Sequence, residues 1–286
     1  MWGKGIKIME IKENLTENVE KMQKNGEKTQ KTQENQSNNE NLTAEEKPAA
    51  ASKNSTDLFV LYEDNHIIVA IKPQNIPSQS DISGDEDMLS KVKKYVKEKY
   101  NKEGDAYIGL VHRLDRPTGG IMVFARTSKA AERLSNQIKS GQMHKTYYAV
   151  TSKVPQLKSD TLINYLKKDE KNNIVKIAPQ SEQGTKRAEL SYKVLQTKDD
   201  FALLEVKLVT GRSHQIRVQL AGINCPLYGD NKYGKEKSRQ SNNLGLWAGR
   251  LEFVHPVTKQ KMTFACPPDL DAKPWSYFYM EKYFIR

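Results

Sequence analysis

The segment Val111-His-Arg-Leu-Asp-Arg-Pro-Thr-Gly-Gly-Ile-Met-Val-Phe-Ala125 places one carboxylate, Asp115, between Arg113 and Arg116. The chain turns at Pro117 and Gly119–Gly120, and an apolar run from Ile121 to Ala125 follows at once. Such a run reads as a buried strand, and a loop that ends on a buried strand can hold a reactive group rigidly. Glycine in the turn lets a substrate approach the backbone. Positive charge on both sides favours the charged form of the carboxylate, so the residue types suit a nucleophile or a base. A structural turn carrying surface ion pairs would have the same composition, and the segment by itself supports both readings.

Outward from this segment, composition divides the chain. Its 286 residues are enough for one large domain or two small ones. Glu10 to Lys53 is dominated by Lys, Glu, Gln, Asn and Thr, with few large apolar side chains. Such a stretch cannot bury enough surface to offset the entropy of ordering it. Residues 1–55 are therefore expected to form a disordered low-complexity tail, and 56–286 the folded domain. The tail has no apolar h-region of a signal peptide, and its acidic residues argue against a mitochondrial presequence. No apolar run approaches the length needed to span a membrane.

Charge is divided in the same way. Residues 1–57 hold 9 Lys and 10 acidic residues, leaving 37 basic and 25 acidic residues, a net of +12, on 58–286. Positive charge on the folded body can attract a polyanion, although a merely Lys-rich protein would show the same balance. Cys225 and Cys266 form no CxxC or Cys/His cluster, so neither a zinc site nor a disulfide framework is expected, which fits a reducing cytosol. His66, His112, His144, His214 and His255 are scattered without the spacing of metal ligands. No metal is expected.

Globular patterning begins at Leu58. Leu58–Tyr62 and His66–Ile71 are apolar and β-branched around a Glu63-Asp64-Asn65 turn and read as a hairpin. Met88, Val92, Tyr95, Val96 and Tyr100 recur at helical spacing, and so do Ala131, Leu134 and Ile138, with Ser128 as N-cap and Gly141 as stop. Thr146–Thr151, Ile174–Ala178, Arg187–Leu195 and Phe201–Val209 read as strands, and Ser213–Leu220 as a short helix after Gly211. Leu246–Phe253 and Lys261–Ala265 read as a hairpin around His255-Pro256. These elements predict one α+β domain, with a mixed, largely antiparallel sheet and flanking helices.

Two further segments concentrate polar groups. His144-Lys145-Thr146-Tyr147-Tyr148-Ala149-Val150 opens a strand, and alternation sends Tyr147 and Tyr148 to opposite faces. In Leu208-Val-Thr-Gly-Arg-Ser-His-Gln-Ile-Arg-Val-Gln-Leu220 a helix begins carrying Arg212, His214 and Arg217. A helix N-terminus with basic side chains suits phosphate, while a solvated cationic face gives the same pattern. Ile216 and Val218 flank Arg217, which points to partial burial, and a buried Arg normally needs an acidic partner.

Taken together, these segments resemble the RluA family of RNA pseudouridine synthases. His112-Arg113-Leu114-Asp115 with Thr118-Gly119-Gly120 resembles that family's signature loop, Lys145-Thr-Tyr147 its second motif and Thr210-Gly-Arg-Ser-His-Gln-Ile-Arg217 its third. Pro226-Leu-Tyr-Gly-Asp230, Tyr233-Gly234 and Leu251-Glu-Phe-Val-His-Pro256 extend the likeness, in order, over roughly Leu58 to Pro268. The resemblance implies the pseudouridine synthase fold with a central basic cleft. It implies that Asp115 is the catalytic aspartate, Tyr147 the active-site tyrosine and Arg217 the partner that holds Asp115 ionised. Arg113 would occupy the base stack when the target nucleotide leaves it. Arg116, Arg212, His214 and Lys145 are expected to contact RNA. Two departures stand out: Gly119 stands where many relatives have Ser, and the disordered tail takes the place of an amino-terminal S4 module.

The chemistry implied is the isomerisation of specific uridines in ribosomal or transfer RNA, by a monomeric cytoplasmic enzyme. It breaks N1–C1′, turns the uracil and joins C5 to C1′, with no exchange of electrons or external groups, so no cofactor is needed. Asp115 can attack C1′ or abstract the 2′ proton. Tyr147 can stack on the uracil or help remove the C5 proton, and flipping the base has an unstacking cost that Arg113 would offset. Two other readings compete: an RNA-binding or chaperone module without catalysis, and a glycoside or nucleoside hydrolase. The hydrolase needs a second carboxyl group, which the motifs do not supply.

Overall fold

The computed structural model describes residues 58–284 apart from 102, 105 and 235–242. The expected tail over 1–55 lies outside the described residues. Among them, eleven strands form one sheet. In chain order the elements are β1 (Phe59–Glu63), β2 (Ile67–Lys72), α1 (Met88–Lys99), β3 (Gly109–Leu110), β4 (Gly119–Ala125), α2 (Ser128–Lys139) and β5 (His144–Thr151). There follow β6 (Ser159–Asp169), β7 (Ile174–Ile177), β8 (Lys186–Lys198), β9 (Phe201–Leu208), α3 (Gln215–Gly222), β10 (Leu246–Val254) and β11 (Lys261–Ala265). The strand order is β1-β2-β4-β10-β5-β9-β8-β6-β7, with β11 added to β10 and β3 to β4. Neighbouring strands pair antiparallel except β10 with β4, where Trp247 faces Gly119 and Ala248 faces Gly120. The expected α+β class and mixed, largely antiparallel sheet are therefore present.

Sequence explains the central strands directly. Ile67–Ala70 and Ile121–Ala125 are buried on both faces, which is why they read as continuous apolar runs rather than alternating ones. Each fully buried Val, Ile or Phe there contributes about 1.5–3 kcal/mol. The hairpin β1–β2 turns on Asp64, whose Oδ1 accepts from the backbone N–H of His66 and Ile67. Helix α1 buries Met88, Val92 and Val96, and its N-cap Asp87 accepts from the Ser90 N–H. In α2 the cap is Thr127, not the expected Ser128: the Thr127 hydroxyl accepts from the Ala130 N–H, and Ser128 is the first helical residue.

Strand β6 is the largest difference from the expected elements. Only Leu162 and Leu166 of its eleven residues are buried, and Asn164 sits between them on the inward face, bonded to Gln219. The apolar alternation that identifies a strand is broken by that asparagine, and pairing with β8 from Ser159↔Lys193 to Leu166↔Lys186 defines the strand instead. Strand β8 runs longer than expected at both ends, with a register shift between Val194 and Gln196. Helix α3 starts two residues later than expected because His214 is left-handed at φ 52°. No helix among the described residues is long and apolar enough to cross a membrane.

Candidate active site

The three polar segments converge on one cleft of about 930 Å³, to which Asp115, Lys145, Tyr147, His214 and Arg217 all contribute. Asp115 sits in the loop between β3 and β4, and that loop is fixed atom by atom. The Ser78 hydroxyl donates to Leu114 O at 2.7 Å and accepts from Leu114 N–H at 3.0 Å. Gln74 Nε2 donates to Pro117 O at 3.0 Å and to Leu244 O at 2.7 Å. Thr118 N–H closes the turn onto Asp115 O at 2.9 Å. The segment after β2 thus grips the loop on both sides of Asp115.

Lys72 completes that grip. Its side chain is fully buried, and Nζ donates to the carbonyls of Pro73 (2.9 Å), Ile76 (2.5 Å) and Arg116 (3.0 Å). Burial pushes the ammonium down to about 7, against the pull of Asp115. Three carbonyl acceptors, one for each ammonium hydrogen, offset part of that cost.

Glycine is required at two positions of β4. A Cβ on Gly120, whose φ is +126°, would lie 2.4 Å from Ala248 O, so only glycine allows the parallel approach of β10. A Cβ on Gly119 would meet the Trp247 ring at 2.2 Å. The departure at Gly119 therefore has a steric cause: the indole fills the space a serine would need.

Arg217 is buried in α3, as its apolar neighbours implied, and its close partner is Asp230. Nε donates to Asp230 Oδ2 at 2.9 Å and Nη2 to Oδ1 at 2.7 Å, whereas Nη1 stands 3.6 Å from Asp115 Oδ2. The expected Asp115–Arg217 pair is an ionic contact beyond hydrogen-bond distance, because two of the three guanidinium nitrogens are committed elsewhere. Burial lowers the tendency of Arg217 to stay charged, but Asp230 and Asp115 outweigh it and raise the pKa. Burial pushes the Asp230 carboxyl up, and Arg217 more than offsets this, holding it below the usual carboxylate range.

Tyr147 is buried in the cleft wall, and Tyr148 points to the other face of β5 against Phe284, ring centroids 4.8 Å apart. Burial first, and the charge of Asp115 second, push the Tyr147 phenol up, so it is un-ionised at neutral pH. Burial brings Lys145 down to about 8. His214 Nε2 lies 3.9 Å from Asp115 Oδ2, and burial holds the imidazole below its ordinary value despite Asp115. The loop before α3 is shaped by Gln215, a buried side chain bonded to Thr210, to the Arg212 N–H and to Glu189 O.

The exposed arginines differ. Arg113 lines the cleft without a hydrogen-bond or ion-pair partner among the described residues. Arg116 is engaged by Asp85, by Ser83 Oγ at 2.9 Å and by Asn75 O at 3.1 Å, with Asp81 at 3.7 Å. Arg212 is exposed and donates through Nε to Arg187 O at 3.0 Å. Sequence reasoning gave no role to Lys72, Asp230 or Tyr233. The signal available for Asp230 was the need of a buried Arg217 for an acid, together with an acidic residue in the next motif.

Comparison with known proteins adds a lineage to this geometry. Residues 66–222 match the family described as RNA pseudouridylate synthase. The chain is 32% identical over 217 residues, 74% of its length and 69% of the relative's, to YlyB of Bacillus subtilis (strain 168), named an uncharacterized RNA pseudouridine synthase. It is 31% identical over 232 residues, 79% of its length and 72% of the relative's, to ribosomal large subunit pseudouridine synthase C of Rickettsia bellii (strain RML369-C). A solved structure, human RNA pseudouridylate synthase domain containing 4, superposes with a TM-score of 0.63 at 21% identity, over 77% of this chain and 90% of that one, a likeness of fold.

Proposed function

From the premise that the chain belongs to the RNA pseudouridylate synthase family, and to its RluA type, we propose that Asp115 is the carboxylate that reacts at the target uridine. The observation that carries this reading is the convergence of Asp115, Arg217 and Tyr147, from three distant segments, on one cleft. The substrate class is RNA; we read the targets as uridines of structured ribosomal or transfer RNA, and the enzyme as a cytoplasmic monomer.

Isomerisation needs a group at C1′ or the 2′ position, a platform for the detached base and a way to take the nucleotide out of its stack. Asp115 serves the first on either route, by attack at C1′ or by removal of the 2′ proton, and Arg217 balances its charge. Tyr147 serves the second. Its phenol is neutral at neutral pH, so it can stack on the uracil and donate its O–H. Arg113, exposed on the cleft lining, serves the third by filling the vacated stack. Lys145 and Arg212 supply positive groups for the RNA backbone, Arg116 reaches RNA only by leaving Asp85 and Asp81, and His214, with Nε2 3.9 Å from Asp115, serves the carboxylate instead.

The hydrolase reading lacks a general acid. Among the described residues, Asp81 is the other carboxylate lining the cleft; Ser83 holds it below its usual range, with Arg116 adding to the effect, so it carries no proton at neutral pH. The test is pseudouridine formation in ribosomal and transfer RNA from cells with and without the gene, followed by the purified protein acting on RNA that lacks the modification. Asp115→Asn should form no product while RNA binding persists. Full activity of that variant would remove Asp115 from the chemistry.

A further inference from the structure

The turn from Asp230 to Tyr233 touches both of the groups that face Asp115 from the start of α3, Arg217 within the helix and His214 at its N-cap. Taking Asp115 as the reacting carboxylate, we infer that this turn is the positioning arm of the site: Asp230 aims Arg217, and Tyr233 aims His214, at Asp115.

The Asp230 half rests on the two-point bond to Nε and Nη2 of Arg217. Asp230 is itself fixed, fully buried, with Oδ1 also accepting from the backbone N–H of Lys232 at 2.9 Å and of Tyr233 at 3.1 Å. A guanidinium held along that edge has its plane set, and Nη1 is the nitrogen left to face Asp115. The centroid of the Tyr233 ring lies 5.2 Å from the carbon of the same guanidinium, a cation–π contact that adds to this hold.

The Tyr233 half rests on hydrogen-bond direction. Val175 N–H donates to Tyr233 Oη at 2.8 Å, so the hydroxyl hydrogen is free to go elsewhere. His214 Nδ1 lies 2.7 Å from the same oxygen. The inference gives that hydrogen to Nδ1, which then accepts, so that the single proton of the neutral ring sits on Nε2. Nε2 is the atom 3.9 Å from Asp115 Oδ2. The left-handed backbone of His214, φ 52°, turns the ring into this relay at the expense of a regular helix start. One turn thus presents Asp115 with a charged donor and a neutral one.

Tyr233→Phe keeps the ring and deletes the hydroxyl. In nitrogen-15 NMR of the full-length protein, His214 should read as a single Nε2–H tautomer in the wild type and as a mixture in Tyr233→Phe. Single-turnover pseudouridine formation, on unmodified ribosomal and transfer RNA transcripts, should fall about tenfold or more, the usual effect of losing an orienting partner, while RNA affinity changes little. Asp230→Asn should lower the rate in the same way without loss of RNA binding. If that buried substitution prevents folding, Tyr233→Phe carries the test. An unchanged His214 tautomer in Tyr233→Phe, or wild-type rates in the folded variants, overturns the inference. A wild-type protein inactive on every transcript counts instead against Asp115 as the reacting group, and the tautomer measurement still decides whether Tyr233 directs His214.

Discussion

Arg217 and Asp230 form a closed two-point ion pair inside the protein, at 2.9 and 2.7 Å, while the partly exposed Asp115 stands 3.6 Å from the remaining guanidinium nitrogen. The two carboxylates around one arginine thus differ in how firmly they hold it. Asp230→Ala would strand a buried cation, a change that typically costs about 3–5 kcal/mol. Asp115→Ala removes a looser contact near solvent, and its cost should stay within about 1 kcal/mol. Urea unfolding of both variants checks this. Equal losses would mean that Asp115, too, is a structural partner of Arg217.

Gly119 and Trp247 form a second coupled pair. A side chain at 119 must enter the space of the indole, whose Nε1–H is bonded to Cys266 O at 2.9 Å and so resists displacement. Gly119→Ser should destabilise the protein by about 1–3 kcal/mol, the usual range for overpacking. With Trp247→Leu in place the same serine should cost much less, since the obstacle is gone. A double-mutant cycle by thermal unfolding measures the difference, and additive losses would refute the steric account.

The parts of this molecule that were legible in sequence are those where one residue type has one use. Ile121–Ala125 is apolar on both faces and could only be a buried strand, and Asp115 beside Gly119-Gly120 marked the loop before it. Strand β6 was not legible, because Asn164 occupies its inward face to bond Gln219, and a polar residue there cancels the alternation. The candidate site is legible one layer deep. Asp115, Tyr147 and Arg217 could be named from motifs, but the partner of Arg217 depends on which of two acids the fold brings within 3 Å, and pairing distance is a property of tertiary packing. Lys72 was invisible for the same reason: a buried lysine bonded to three carbonyls has no signature in spacing.

Arg113 and Arg116 flank the same aspartate and should respond differently to removal. Arg113 has no partner among the described residues, whereas Arg116 is already held by Asp85, Ser83 and Asn75 O. Arg113→Ala should slow pseudouridine formation by roughly one to two orders of magnitude if it offsets a few kcal/mol of unstacking. The loss should be greatest in base-paired RNA and smaller in an unstructured oligonucleotide, where there is little stack to leave. Arg116→Ala should change the rate by less than about threefold, because surface ion pairs of this kind are worth little. Rates on the two RNA forms decide it, and equal losses in both would assign Arg113 to general backbone contact.

Burial of Lys145 sets the sign of a pH dependence at the site. Burial brings it from 10.5 to about 8, so in the folded protein it loses its proton at a lower pH than in the unfolded chain. Below about pH 8 both states are protonated, and the cost of enclosing the charge is present in full. Between about 8 and 10.5 the unfolded chain binds more protons, so stability should rise with pH, by on the order of 1 kcal/mol per pH unit from this group. Lys72 adds a slope of the same sign from about pH 7 to 10.5. Lys145→Met should therefore reduce the slope without abolishing it, as measured by urea unfolding at pH 7.5 and 9.5. RNA affinity should move the other way: neutralising Lys145 removes a phosphate partner, so binding should weaken as pH rises through 8. In Lys145→Arg the guanidinium stays charged, and that weakening should be absent. A wild type whose affinity is flat from pH 7 to 9 would remove Lys145 from the RNA contact surface.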